Sequence, residues 1–210
     1  MVSLTYQQLK TVIAYMVLGD IAFLVLSHFK WPEKDLALPL FIVLIVFFIL
    51  YLYFDQIKET TLCFIVKDNK VLMTYRNKKE HDIHKHKYNG LGGKLERGES
   101  KFKGMLREVK EEANIVPKDV HYVGKIRFKN FGNHPTEVMY CFVAYDYEGE
   151  IPDESDEGKL LWIDVDQVLS LPLWEGDQYF IMDIINNKKF KGFIHYDQDR
   201  VVDYRFKHFQ

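Results

Sequence analysis

The sequence predicts an α/β domain, a mixed β-sheet with helices on its faces, preceded by an N-terminal helical hairpin. Three observations point to this. Short strand-like runs and helical segments intermix after residue 55 without a regular βαβ alternation. A glycine-rich turn, Asn89 to Gly93, opens into a stretch with helical periodicity. Before residue 57 the composition is different, dominated by two long apolar runs. The chain is therefore read as residues 1–57, a membrane-anchoring hairpin, and residues 58–210, the domain that carries chemistry.

Leu36 to Phe54 is an uncharged run of about nineteen residues. As a helix it spans about 28 Å, close to the hydrocarbon thickness of a bilayer. Tyr51 and Tyr53 suit the interface at its end. The earlier run, Thr11 to Phe29, carries Asp20 at its middle, which costs on the order of 3 kcal/mol on insertion scales and makes it the weaker span. The polar segment SHFKWPEKD joins the two. The first run lacks a basic leader and a small-residue cleavage site, so it does not read as a signal peptide. Lysines balance across the hairpin and leave orientation open. A cytoplasmic placement of the second domain is expected from its substrate alone.

The second domain opens with a hairpin, Thr60 to Val66 and Val71 to Tyr75 around Lys67-Asp68-Asn69-Lys70. A polar loop with His81, His84 and His86 follows. Its spacing matches no closed zinc site, and it is expected to border the substrate entrance as a solvated loop. After the glycine turn, Ser100 is placed to cap a helix whose Phe102, Met105, Leu106, Val109 and Ala113 form one apolar stripe. Strands are expected over His121 to Phe128 and Glu137 to Tyr147, joined by the turn-rich NFGNHPT, then over Leu160 to Ile163. Helices are expected over Asp164 to Leu171 and Asp177 to Asn187, and a closing hairpin over KGFIHYD and RVVDYRF. Cys63 and Cys141 lie inside apolar runs and read as buried thiols. With a net charge of −2 and no basic run interleaved with aromatics, no nucleic-acid partner is expected.

The polar side of the helix carries the chemistry. Glu108, Glu111 and Glu112 recur at steps of three and four, an arrangement that weakens an isolated helix by a few tenths of a kcal/mol per pair. Three oxygen donors on one helix, with Glu99 just upstream, suit Mg²⁺ or Mn²⁺. Arg107 is spaced to pair with Glu111. On charge alone, a solvated acidic face is the competing explanation.

The full pattern, from Gly93 through Glu99 to Arg107-Glu108-Val109-Lys110-Glu111-Glu112, resembles the signature box of the Nudix hydrolases. Asn114 stands where that family usually has glycine; asparagine is the next-best residue for a left-handed helix cap. The resemblance implies an α/β/α Nudix sandwich and hydrolysis of a nucleoside diphosphate linked to another group. It assigns catalysis to Glu99, Arg107, Glu108, Glu111 and Glu112, and metal binding to Gly93, Glu108, Glu111, Glu112 and Glu157.

Outside the box, NGLGGK, Glu154-Ser155-Asp156-Glu157 up to Trp162, Leu173-Trp174 through Tyr179, and the tail resemble MutT-type enzymes acting on oxidised purine nucleoside triphosphates. That resemblance runs from about residue 60 to the end and implies substrate contacts at Asn89, Gly92, Lys94, Trp174 and Asp177. Asn89 and Asp177 would bond the purine edge and Trp174 would stack on it. Where those enzymes carry two adjacent acidic residues after the tryptophan, this chain has Gly176-Asp177 and keeps one carboxylate. The expected activity is Mg²⁺-dependent release of monophosphate and pyrophosphate. The alternatives are a nucleotide sugar, dinucleoside polyphosphate or capped RNA substrate, or a non-catalytic, membrane-tethered nucleotide sensor.

Overall fold

The alternation of apolar residues in the first strand decides how the domain is layered. In β1 (Ile57–Lys67), Leu62, Phe64 and Val66 point to one side and Cys63 and Ile65 to the other. Both sets are covered, so the strand is central and needs helices on both faces. The computed structural model describes residues 45, 48, 57–80, 82–132 and 134–209. The chain divides into two units, Met1–Tyr51 and Leu52–Gln210. Of the expected membrane hairpin, Ile45 and Phe48 are described, both helical and exposed; the rest, including Asp20, lies outside the described residues. Among the described residues no helix is long and apolar enough to cross a membrane.

Asp68 and Asn69, with φ of 50° and 58°, form the tight turn between β1 and β2 (Lys70–Arg76). The sheet continues through β3 (Tyr88–Asn89), β4 (Ile115–Phe131), β5 (His134–Gly149), β6 (Gly158–Asp164), β7 (Phe190–Asp197) and β8 (Arg200–His208). Its order is β3-β2-β1-β5-β4-β7-β8, with β6 paired to β2. The β1/β5 and β4/β7 pairs are parallel and the others antiparallel, which makes the sheet mixed as expected.

One helix, α1 (Lys101–Ala113), covers the Cys63–Ile65 face. Ser100 caps it, its Oγ accepting from the Lys103 amide at 3.3 Å, and Asn114 closes it in the left-handed conformation at φ 54°. Met105, Val109 and Ala113 are fully buried against Cys63, Ile65, Leu91 and Phe142. Burying Met105 and Val109 is worth about 2 kcal/mol each. That outweighs the repulsion among the glutamates on the other side of the helix. The other face of the sheet is covered by α2 (Ile181–Ile185) and two 3₁₀ turns, Val165–Ser170 and Glu175–Tyr179.

Four expectations need correction. Phe102 is 47% exposed despite its place in the stripe, because it sits in the first turn, where its aromatic neighbour is the Phe142 ring, 6.4 Å away between centroids. The helix expected over 177–187 is broken at Phe180, whose φ of −139° cannot continue it, into the second 3₁₀ turn and α2. The segment expected as a helix over 164–171 is a 3₁₀ turn. Most of NFGNHPT is strand: β4 and β5 stay paired out to Phe131 and His134.

Candidate active site

The site is built where β1 and β2 part. They pair only from Ile65–Lys67 to Lys70–Leu72. Into the gap beyond runs the segment from Tyr88 to Leu95. Leu91 and Cys63 exchange backbone bonds of 2.7 and 3.0 Å, the Thr61 amide donates to the Gly93 carbonyl at 2.8 Å, and the Leu95 amide donates to the Glu59 carbonyl at 2.9 Å. The wedge demands glycine. At Gly92, φ is +146° and a Cβ would lie 2.1 Å from the Thr61 carbonyl oxygen. At Gly93 a Cβ would lie 2.5 Å from a carboxylate oxygen of Glu108.

Against that backbone α1 sets its acidic side. The Gly92 amide donates to Glu112 at 2.9 Å, and burial, reinforced by the nearby Glu108 charge, pushes the Glu112 carboxyl up to about 7. Arg107 is the hub. It donates to Glu99 at 3.1 and 3.0 Å, to Glu108 at 2.8 Å, to Glu111 at 3.1 Å and to the Lys94 carbonyl at 3.1 Å. These bonds hold the guanidinium in its charged form and keep the Glu99 carboxyl below its usual range. The expected Arg107–Glu111 pair is one arm of a wider clamp. Glu111 is turned outward, 58% exposed. Among the described residues no three Asp, Glu, His or Cys side chains form a ready cage for an ion. Glu108 and Glu112 remain at the glycine wedge. They offer only oxygen, and Glu112 is half-buried without a directly bonded cation, which fits a hard divalent ion.

A cavity of about 450 Å³ extends from this corner, within the range of small-molecule sites. It brings together Asn89, Gly92, Gly93, Lys94, Glu108, Glu157, Trp174 and Asp177. Of the remaining expected residues, Glu112 meets it through Gly92, while Glu99, Arg107 and Glu111 form the support behind Glu108. The Gly93 carbonyl expected at the metal already accepts from Thr61, and Glu157 is ion-paired to Arg76 and, at 2.8 Å, to Lys79.

At the far end, Asp177 accepts from the Trp174 backbone amide at 3.1 Å, and burial pushes its carboxyl up to about 7. Trp174 is 9% exposed, packed edge-on against Phe131 at 5.1 Å with Lys87 over its ring at 4.6 Å. It is as much a core anchor as a cavity wall.

Two cavity residues went unassigned in the sequence. Glu137 is 6% exposed, accepts from the Thr60 hydroxyl at 2.8 Å and pairs with Lys58 at 3.2 Å. The signal was present: it shares the inward parity of Met139, Cys141 and Val143 along β5. His84, expected in a solvated loop, lines the cavity and accepts from the Trp174 indole at 2.9 Å. His86 turns elsewhere, to the Tyr75 hydroxyl, and His81 lies outside the described residues.

A family model described as "NUDIX domain" matches residues 57–184. The oxidized purine nucleoside triphosphate hydrolase of Danio rerio is 30% identical over 149 residues, covering 70% of this chain and 93% of that protein. Its counterpart from Mus musculus is 30% identical over 148 residues, covering 70% and 92%. Among solved structures, a MutT protein from Bacillus halodurans superposes with a TM-score of 0.63 at 28% identity, covering 71% of this chain and 97% of that one.

Proposed function

We propose that this chain, which belongs to the Nudix hydrolase family, cleaves purine nucleoside triphosphates, including oxidised ones such as 8-oxo-dGTP, to monophosphate and pyrophosphate. The observation that carries the reading is one cavity with chemically distinct ends. One end is the Glu108–Glu112 corner under the glycine wedge, and the other is the pocket of Asn89, Trp174 and Asp177. The relatives from Danio rerio and Mus musculus, named for the same substrate class, support it.

Glu108 and Glu112 would hold Mg²⁺, or Mn²⁺ in its place. Such an ion supplies charge neutralisation for phosphate oxygens and a hydroxide nucleophile at neutral pH. The chain's own groups do the rest. Lys94 lines the cavity and draws the polyphosphate toward it, beside Lys58 and Arg76, whose charges are shared with Glu137 and with Asp82 and Glu157. Arg107, tied to Glu99, fixes the position of Glu108. Asn89 and Asp177 read the base edge; a carboxyl titrating near 7 can donate when neutral and accept when ionised, which suits purines whose protonation pattern has been altered by oxidation. The apolar run of residues 36–54 is proposed as a tether that holds the domain at the cytoplasmic face of a membrane, on the strength of its length and lack of charge.

The test is incubation of the 210-residue chain in detergent with 8-oxo-dGTP and Mg²⁺. Monophosphate and pyrophosphate should form in equal amounts, and Glu112→Gln should abolish them. Turnover no higher than that of Glu112→Gln rejects the proposal.

A further inference from the structure

The histidine loop adds a contact from outside the signature box. His84 is fixed from several sides. Its backbone amide donates to Asp82 at 3.0 Å, and Asp82 is itself held by Arg76 at 2.7 Å. Its ring stands edge-on to Trp174 at 5.9 Å and lies 6.0 Å from Phe131. The Trp174 indole nitrogen bonds to its Nδ1 at 2.9 Å, across ninety residues of sequence.

An indole N–H can only donate, so Nδ1 must carry a lone pair. Burial and the Arg76 charge hold the ring neutral, with its titration lowered to about 4. A neutral imidazole with a bare Nδ1 has its proton on Nε2. The ring lines the cavity, and its remaining nitrogen is therefore a donor of fixed polarity. The neighbouring groups differ in this respect. Asn89 can present either end of its amide, and Asp177 donates or accepts according to pH.

We propose that His84 is a specificity-determining residue, its Nε2–H donating to a carbonyl oxygen of the bound purine and so favouring oxo-purines over those that present hydrogen or an amine at that position. The inference rests on the cavity being a purine nucleotide site. An amine facing a fixed donor leaves both groups unpaired, and a site built around one polarity rejects the other through that loss.

The 210-residue wild type, His84→Phe, His84→Gln and Trp174→Phe are compared on two substrate pairs with Mg²⁺: dITP against dATP, differing at position 6, and 8-oxo-dGTP against dGTP, differing at position 8. In at least one pair, His84→Phe should reduce the preference for the oxo partner by about tenfold, acting on KM rather than kcat. His84→Gln, whose amide can still donate, should retain part of it. Trp174→Phe, which frees the tautomer, should blur it. Unchanged ratios in both pairs for a folded His84→Phe chain overturn the inference and leave the proposed function standing.

A readout independent of turnover is the ¹⁵N spectrum of histidine-labelled protein titrated with 8-oxo-dGMP. It should show Nε2 protonated and shifting on binding. A proton on Nδ1, or an Nε2 resonance that the nucleotide does not move, overturns the inference. A wild-type chain that hydrolyses none of the four nucleotides refutes the proposed function, and the ¹⁵N titration then decides the inference by itself.

Discussion

Replacing Asp177 by Asn removes a charge from the base end of the cavity while keeping its geometry. An amide oxygen can still accept from the Trp174 backbone amide, which lies 3.1 Å from the carboxylate. The carboxyl titrates at about 7 in the folded chain and at about 3.9 when unfolded. Between those values the folded state binds more protons. Stability therefore falls as pH rises from about 4 to about 7, and the loss persists above. Holding a carboxyl that far above its ordinary value costs about 4 kcal/mol at high pH if the group is fully shut from solvent. Asp177 is half-buried and faces a cavity open to water, which reduces the expected effect to about 2 kcal/mol. Guanidinium denaturation followed by tryptophan fluorescence, run at pH 4.5 and pH 8.5, measures it. The stability advantage of the Asp177→Asn chain over wild type should be about 2 kcal/mol larger at pH 8.5 than at pH 4.5. A difference that is the same at both pH values, or a variant less stable at pH 8.5, refutes the reasoning.

Three further substitutions probe the parts that position the corner. Gly92→Ala forces a methyl against the Thr61 carbonyl at a φ closed to alanine, and should destabilise the chain by about 2 kcal/mol or more in the same denaturation assay. Arg107→Lys cannot reach Glu99, Glu108 and Glu111 together; kcat should fall by on the order of a hundredfold with the melting temperature little changed. Met105→Ala empties a fully buried site between α1 and the sheet and should cost about 3 kcal/mol by equilibrium unfolding.

What could be read in the sequence was what local physics controls. The α1 caps depend on Ser100 and Asn114 alone, and the β1–β2 turn on Asp68 and Asn69, so these were legible. The burial of Met105, Val109 and Ala113 followed from spacing, but that of Phe102 did not, because periodicity gives a face without telling how far the sheet extends beneath it. The helix expected after Asp177 failed for a related reason. The Asp177 carboxylate turns back to the Trp174 amide and closes a 3₁₀ turn, a tertiary choice the residue order leaves open. The acidic corner proposed for catalysis was legible because the box is contiguous from Gly93 to Glu112. The opposite wall was only partly so: Trp174 and Asp177 came through resemblance, while His84 meets Trp174 and Glu137 meets Thr60 only once strands distant in sequence are side by side.

The central claim is that Glu108 and Glu112, set against the Gly92–Gly93 backbone, grip the cation that grips the substrate's phosphates. Anomalous diffraction from crystals soaked with Mn²⁺ and a non-hydrolysable purine triphosphate analogue tests it most directly. The account predicts a manganese peak within coordination distance of both carboxylates and of the analogue's phosphates, with the base lodged beside Asn89, Trp174 and Asp177. Manganese and nucleotide bound together elsewhere, with that corner bare, would contradict it.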